Sequence, residues 1–281
     1  MWRRCFKNEK ALFVNLKRGS EKMKPVCMVI GAGAGIGGNV GKRFAQDGYH
    51  AVLCRRSNPE GLDRLVKSIE DDGGSASGFL LNAVEPDSIE DCIASVEADI
   101  GPIDVLVFNL GAQVGEKSLG DTTYKVFELG WRLATFSLFR AASAVFPHME
   151  KRGKGTFLVT TATAAFRGNA GQHAHASAMG GRRMLCQTLN AEFASKGIHV
   201  VHILIDGLVD APDTLGKMMG AERFQKLRGS RGSEHDGLVL PEKVADTYLH
   251  IARQHRSAWT HEIDIRSFSD LAWWNHRTLD F

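Results

Sequence analysis

The sequence predicts an α/β fold, built as a single doubly wound parallel sheet flanked by helices. Short apolar, β-like runs alternate with helical patterns along the chain, the order that places a parallel sheet between two helical layers. The first run, Val26–Ile30, leads directly into the glycine-dense segment 31–37. With 281 residues, 43% of them hydrophobic, the chain is long enough for one sizeable domain of this kind.

The predicted elements have clear boundaries. Glycines at Gly48 and 73–74 end helices, and the prolines Pro86 and Pro241 open them. The predicted strands are 26–30, 50–54, 77–81, 103–108, 155–160, 198–205 and 262–265. The predicted helices are 36–47, 59–71, 86–99, 122–150, 174–195 and 241–255. The glycine-bearing stretch 207–240 is predicted to form a small lobe, either a substrate lid or an ordinary surface loop.

The glycine-dense segment carries the clearest functional signal. Without Cβ atoms at Gly31, Gly35 and Gly37, the backbone can turn sharply and let a pyrophosphate approach closely. The helix that begins at Ile36 then offers its free N–H groups and the positive end of its dipole to that anion. This order of strand, glycine loop and helix is typical of a Rossmann-type dinucleotide-binding fold. We therefore predict that Gly31, Gly35, Ile36 and Gly37 bind a dinucleotide cofactor.

Composition and charge exclude several other functions. The net charge is +3, but residues 1–24 carry eight basic and two acidic side chains, so the rest of the chain carries −3. That balance argues against a nucleic-acid partner, and no apolar run is long enough to span a membrane. The five cysteines lack metal-ligand spacing, which favours reduced thiols in a cytoplasmic protein and no metal site. The basic extension 1–24 is interpreted as a disordered tail or as a mitochondrial targeting segment, with 25–281 forming the domain.

Over nearly the whole of 25–266 the sequence resembles the short-chain dehydrogenase/reductase family. Segment 31–37 is similar to the cofactor loop of that family, Gly-x-x-x-Gly-x-Gly. The turn after the fourth strand, Phe-Asn-Leu-Gly, contains Asn109 and Gly111 and is similar to the family's Asn-Asn-Ala-Gly turn. Asn82 stands at the end of the third strand, where the family usually has an aspartate against the adenine. The resemblance implies that Asn82, Asn109 and Gly111 also bind the cofactor.

Arg55 and Arg56 follow the second strand, where NAD-selective members of the family have an acidic residue. An aspartate there accepts hydrogen bonds from the ribose hydroxyls and repels a 2′-phosphate, whereas arginine binds phosphate strongly. The two residues therefore predict NADP(H) as the cofactor. The alternative is that one or both arginines are solvated loop charges.

The catalytic residues of the family are substituted at the corresponding positions. In the family a tyrosine acts as general acid/base, and a lysine four residues later holds the nicotinamide ribose. None of the three tyrosines of this chain has a lysine at that spacing. The family's tyrosine, lysine, serine and asparagine positions fall on His175, Met179, Ala162 and Ala134. The sequence is thus identified as an atypical member that lacks the Tyr-x-x-x-Lys pair.

Two residues are candidates for replacing the missing groups. His175 carries an imidazole, which titrates near neutral pH and can donate or accept a proton. Thr161 supplies a hydroxyl one residue before Ala162. The structural alternatives are that His175 fills space in a cleft wall and that Thr161 suits the end of a strand.

The resemblance implies an NADP(H)-dependent oxidoreductase that acts on a small-molecule carbonyl/alcohol pair through a non-standard proton donor. The alternative is a catalytically inactive NADP(H)-binding protein that serves as a cofactor-responsive or oligomer-partner subunit. Members of the family pair subunits through two long helices, here 122–150 and 174–195. A homodimer or homotetramer is therefore expected.

Overall fold

The computed structural model describes residues 3–4, 24–111, 115–232 and 234–275 of the chain. Seven parallel strands form the main part of its sheet, and a two-residue strand described below extends one edge. The seven are β1 (Val26–Ile30), β2 (His50–Arg55), β3 (Ser75–Leu80), β4 (Ile103–Phe108), β5 (Gly155–Ala162), β6 (Ile198–Ile205) and β7 (Glu262–Ile265). Their spatial order is β3-β2-β1-β4-β5-β6-β7. The chain therefore reverses direction across the sheet between β1 and β4, as in other doubly wound folds. The predicted fold class is confirmed.

Helices connect the strands and cover both faces of the sheet. They are α1 (Ile36–Gln46), α2 (Pro59–Asp71), α3 (Ser88–Asp99), α4 (Tyr124–Trp131), α5 (Ser137–Arg152), α6 (His173–Phe193), α7 (Lys217–Met219), α8 (Ala221–Arg231) and α9 (Pro241–Ala252). Phe44 of α1 and Tyr248 of α9 pack on one face, and Phe146 of α5 and Cys186 of α6 pack on the other. Because β1 is buried on both faces, all five of its residues are apolar.

The helix predicted over 122–150 is interrupted. A π-helical turn, Arg132–Phe136, separates α4 from α5. Just after it, the Ser137 hydroxyl donates to the carbonyl of Arg132 at 2.7 Å and to that of Ala83 at 3.0 Å. A side-chain hydroxyl that bonds to helix carbonyls competes with the regular backbone pattern. The interruption places the carbonyl of Ala134 where another side chain reaches it, as described below.

The predicted lobe 207–240 is largely helical and lies beside the glycine loop. Val209 and Val239 form a parallel bridge at its base. A Cβ atom at Gly35 would lie only 3.1 Å from the Cβ of Ala211, so the start of the lobe contacts the start of α1. The lobe therefore covers the carboxyl edge of the sheet at the glycine loop.

The basic extension contributes one short element to the sheet. The backbone of Arg3–Arg4 pairs in parallel with Phe79 and Leu80 at the edge of β3. Residues 1–2 and 5–23 lie outside the described residues, and so does the targeting hypothesis that rests on them. Among the helices of the described residues, none combines the length and apolar character required to cross a membrane.

Candidate cofactor and active site

Backbone hydrogen bonds hold the glycine loop against the end of β2. The amides of Gly31 and Ala32 both donate to the carbonyl of Cys54 at 2.9 Å. Gly31 has a φ of +101°, a conformation that residues with a side chain rarely adopt. A Cβ atom at Gly37 would lie 2.3 Å from the Gly31 carbonyl oxygen. The turn of α1 that begins at Ile36 can therefore approach the loop only because residue 37 is glycine.

The start of α1 has no side-chain cap. Its N-cap, Gly35, has no side chain to accept hydrogen bonds from the first-turn amides. Those amides and the positive end of the helix dipole remain for a ligand. Asn109 holds the glycine loop from the β4 side. Its Nδ2 donates to the Gly31 carbonyl at 3.0 Å, and its backbone N–H donates to the Ile30 carbonyl at 2.8 Å. The predicted glycines and Asn109 thus lie together between β1 and β4.

A cavity of about 380 Å³ opens at the end of β2, between α1 and α2. Three cationic side chains line it: Lys42, Arg55 and Arg64. The rest of its wall comes from Ala34, Gly38, Asn39, Asn58, Gly61, Leu65, Ser68 and Asp213. Because three positive charges face a single carboxylate, the cavity favours an anionic group such as a phosphate.

The two predicted arginines differ in their placement. Arg55 lies against the start of α2, where a Cβ atom at Gly61 would be 3.0 Å from its Nη1. Asn58, with a φ of 66°, caps α2 by accepting from the Gly61 amide at 3.0 Å. Arg56 is exposed and does not line the cavity, since successive residues of an extended chain face opposite sides. Arg55 is therefore the arginine of the pair that contributes to this anion site.

Asn82 follows β3 with one unused acceptor. Its Nδ2 donates to Glu85 Oε1 at 2.9 Å, and its Oδ1 is buried without a hydrogen-bond partner. A buried acceptor without a partner is uncommon, and an adenine amino group would satisfy it. Gly111, the other predicted residue of this side, is exposed just beyond β4.

Arg182 of α6 is a buried cation that the sequence did not single out. Arg182 is only 1% exposed. Nε donates to the Ala134 carbonyl at 3.0 Å, Nη1 to the Thr160 carbonyl at 2.7 Å and Nη2 to the Leu110 carbonyl at 3.0 Å. One guanidinium thus joins the π-helical turn, β5 and the loop after β4.

Thr161 belongs to a buried polar network. Its Oγ1 lies 2.7 Å from His202 Nε2. His202 Nδ1 lies 3.0 Å from Glu262 Oε2. Glu262 forms a two-point ion pair with Arg183, at 2.8 and 3.0 Å. Burial lowers the pKa of His202 to about 4, so its ring is neutral at pH 7.

Along most of its length the chain is similar to short-chain dehydrogenases. The model of that family, short chain dehydrogenase, matches residues 25–214. The chain belongs to this family. Members of the family bind nicotinamide cofactors, and the glycine loop, the free amides of α1 and the buried acceptor of Asn82 are groups that fit such a cofactor.

Two sequence relatives and one solved structure illustrate the similarity. The short-chain reductase protein NovJ of Streptomyces niveus is 29% identical over 245 residues, which cover 84% of this chain and 90% of NovJ. The 3-oxoacyl-(acyl-carrier-protein) reductase FabG of Thermotoga maritima is 28% identical over 242 residues, covering 85% and 94% of the two chains. A short-chain dehydrogenase from Rhodopseudomonas palustris superposes with a TM-score of 0.71 at 32% identity, over 87% of this chain and 99% of that one.

The residues predicted at the family's asparagine and lysine positions pack together in this chain. Ala134 and Met179 form an apolar cluster with Ala178 and residues 164–165, all of them buried. His175, predicted at the tyrosine position, lies in the first turn of α6 and is 7% exposed. Two of the four positions predicted for the family's catalytic residues thus lie in one apolar cluster.

The three tyrosines of this short-chain dehydrogenase lie outside the apolar cluster. Tyr248 is fully buried on α9, its hydroxyl lies 2.7 Å from Thr160 Oγ1, and burial raises its pKa. Tyr49 packs edge-on against Phe44. Tyr124, at the start of α4, is 96% exposed. Each tyrosine thus has a surface or packing environment of its own.

The C-terminal segment folds back over the end of β6. Asp206, which is 1% exposed, accepts from the backbone N–H of Trp273 at 2.8 Å and from Arg266 Nε at 3.1 Å. The Trp273 ring packs against Phe166 at 4.9 Å, and the Arg183 guanidinium lies 4.1 Å from the centre of the same Phe166 ring. Asp206 therefore anchors the C-terminal segment.

Proposed function

We propose that this chain is an NADP(H)-dependent oxidoreductase that acts on a small-molecule carbonyl/alcohol pair through a non-standard proton donor. The cationic cavity of Lys42, Arg55 and Arg64 beside the glycine loop carries the cofactor assignment. NAD(H) and NADP(H) differ in the 2′-phosphate, and this cavity offers that group three cations. The reductases NovJ and FabG support the reaction class, since both share most of their length with this chain.

The arrangement of the site gives the cofactor one orientation. The pyrophosphate would rest on the α1 amides and the 2′-phosphate in the cationic cavity, with Asn82 accepting from the adenine. The nicotinamide half of the dinucleotide then extends across the carboxyl ends of β4, β5 and β6. These strands lie on the other side of the switch point, the place between β1 and β4 where the strand order reverses. NADPH, when bound, supplies a hydride for the carbonyl carbon.

We propose that the chain lacks the family's Tyr–Lys pair and that His175 delivers the proton to the carbonyl oxygen. Its place at the tyrosine position, on the inner face of the first turn of α6, supports this role. The Thr161 hydroxyl, bonded to His202, is the second candidate and would act through that imidazole. A positioned general acid contributes about 10²- to 10⁴-fold to a rate, so the identity of the donor is measurable.

The expected result is NADPH oxidation with at least one member of a panel of aldehydes and diketones. In His175→Gln we expect kcat to fall by about 100-fold, whereas His173→Gln, two residues earlier and half-buried, keeps the wild-type rate. NADPH binding, followed by its fluorescence, should be equal in all three proteins. An unchanged kcat in His175→Gln removes His175 as the donor. A wild-type protein that does not bind NADPH even at tens of micromolar contradicts the cofactor assignment itself.

One observation favours a second candidate, an inactive NADP(H)-binding subunit. The apolar cluster around Ala134 and Met179 leaves no lysine ammonium at the position that orients the nicotinamide ribose in the family. Binding of NADPH without turnover of any carbonyl on the panel would favour this candidate. The fold and the cofactor half of the site are common to both.

We propose that the protein forms a homodimer through the apolar surface of α4 and α5. Phe127, Trp131, Phe136 and Phe139 are between 38% and 52% exposed along these helices, and Trp131 stacks on Phe136 at 5.4 Å. Exposed aromatic rings in contact with one another mark interaction surfaces. Light scattering should give about twice the chain mass of 30.8 kDa.

A charge in the centre of this surface should separate the subunits. Phe139→Glu is expected to give the monomer mass at the same concentration. Phe268→Glu, which changes a phenylalanine that is 82% exposed on the C-terminal segment, is expected to leave the mass unchanged. A wild-type monomer would contradict the proposal, and so would a Phe139→Glu protein that keeps the dimer mass.

A further inference from the structure

The charge of Arg182 is buried without a counterion. None of the ion pairs within the described part of the chain involves Arg182, and its three bonded partners are neutral carbonyls. Its guanidinium also lies 5.0 Å from the centre of the Phe108 ring. Burial lowers its pKa to about 10, which still leaves the group protonated at neutral pH. By contrast, the adjacent Arg183 is neutralised by Glu262.

The position of this charge follows from the carbonyls that it binds. Leu110 follows β4, and Thr160 lies near the carboxyl end of β5. In a doubly wound fold the dinucleotide lies across the carboxyl ends of the strands, one half on each side of the switch point. The cationic cavity at β2 takes the adenosine half, so the nicotinamide half would cover β4 and β5. Arg182 therefore lies beneath the nicotinamide half of the proposed site.

The acids at this edge are held by arginines, and two of them lie farther along the sheet. Asp206 and Asp264, at the ends of β6 and β7, share Arg266, and Asp206 is also held by the Trp273 amide. Each strand adds about 4.8 Å, so β6 is one strand beyond the pair that Arg182 joins. Asp210 and Asp270, nearer to the glycine loop, are each paired with an arginine, whereas Arg182 has no acidic partner among the described ion pairs.

We infer that Arg182 makes the site select the reduced cofactor, binding NADPH more tightly than NADP⁺. The two forms differ by one positive charge on the nicotinamide ring, and a fixed, uncompensated cation beneath that ring repels the oxidised form. This inference rests on the proposed function and deepens it, because such a site retains NADPH and releases NADP⁺, as a reductase requires. At the effective dielectric constant of about 20 that applies to protein sites, two like unit charges about 10 Å apart correspond to a preference of roughly tenfold.

The test compares the dissociation constants of NADPH and NADP⁺ for the full-length protein and three variants. Wild type should favour NADPH by about tenfold. Arg182→Met removes the charge and should abolish most of this preference, whereas Arg182→Lys keeps the charge and should retain it, even though both affinities fall with the lost carbonyl contacts. Arg183→Met is the matched control: it removes a neighbouring arginine whose side chain is 27% exposed, so solvent screens the lost charge and the ratio should change much less than in Arg182→Met.

The ratio of the NADPH and NADP⁺ dissociation constants distinguishes an effect of the Arg182 charge from a purely structural role of its side chain. Loss of the carbonyl contacts alone would weaken the binding of NADPH and of NADP⁺ by the same factor. An Arg182→Met protein with the wild-type ratio of dissociation constants therefore overturns the inference. A wild-type protein that binds NADP⁺ as tightly as NADPH also overturns it, without any variant that must fold. Arg182→Gln, which keeps one donor, serves as the uncharged variant where Arg182→Met does not fold. A wild-type protein that binds neither form contradicts the proposed function instead.

Discussion

Gly37→Ala is expected to destabilise the folded protein by at least about 2 kcal/mol and to abolish detectable NADPH binding. The new Cβ atom would lie 2.3 Å from the Gly31 carbonyl oxygen and 2.8 Å from Asn109 Nδ2. Neither neighbour can move freely, because Asn109 Nδ2 is bonded to that same carbonyl and the Gly31 amide is bonded to Cys54. The substitution therefore displaces the backbone that would cradle the pyrophosphate. Urea unfolding and NADPH fluorescence titration measure the two effects.

Gly33→Ala is the matched control in the same loop. A Cβ atom at Gly33 would have no heavy atom within 4 Å apart from its own chain neighbours. The free energy of unfolding of the Gly33→Ala protein should therefore change by less than about 0.5 kcal/mol. Equal stability of the two alanine variants would contradict the close approach of α1 to the loop. A Gly37→Ala protein that is destabilised but binds NADPH normally would instead contradict the assignment of this loop to the cofactor.

Most of the strands could be predicted because buried parallel strands are continuous apolar runs. Strands β1, β4, β6 and β7 begin and end at the predicted residues. The third strand was predicted two residues late, since it opens with Ser75 and Ser77. The two serine hydroxyls form hydrogen bonds with the ring nitrogens of His50 on the neighbouring strand, at 2.6 and 2.9 Å. The sequence does not show this pairing, because it joins residues about 25 positions apart.

The cofactor residues divide according to how far apart they are in sequence. The glycine loop is a local motif, so residues 31–37 were visible in the sequence. Lys42 and Arg64 were missed, although Gly38 and Lys42 are spaced for one face of α1, and Gly61 and Arg64 for one face of α2. Spacing defines a helix face, but it does not show that these two faces meet in front of β2.

Arg182 was missed for a different reason. Two adjacent arginines on a helix usually indicate a solvated face, and one of the pair, Arg183, does reach a surface carboxylate. Burial of Arg182 depends on the carbonyl that the π-helical turn presents at Ala134. That turn interrupts a segment predicted to be one continuous helix, so neither the acceptor nor its position could be derived from periodicity.

Arg55→Asp is expected to reverse the cofactor preference of the protein. In the proposed site the 2′-phosphate would meet Arg55, Lys42 and Arg64, which line the cavity. The substitution removes one cation and adds an anion beside the phosphate, and charge-assisted hydrogen bonds contribute about 1.5–3 kcal/mol each. NADPH affinity should therefore fall by about 100-fold, while NADH affinity rises because the new carboxylate can accept from the ribose hydroxyls. Dissociation constants for both cofactors measure the change.

The neighbouring arginine gives this experiment its control. Arg56 is exposed and does not line the cavity, so Arg56→Asp makes the same charge reversal one residue away. If the cavity holds the 2′-phosphate, Arg56→Asp should weaken NADPH binding only through long-range repulsion, which 0.15 M salt largely screens over a Debye length of about 8 Å. Equal losses in the two variants would move the phosphate out of the cavity to the solvent side of β2. Equal weakening of NADPH and NADH by Arg55→Asp would show that Arg55 supports the shape of the site and does not select its cofactor.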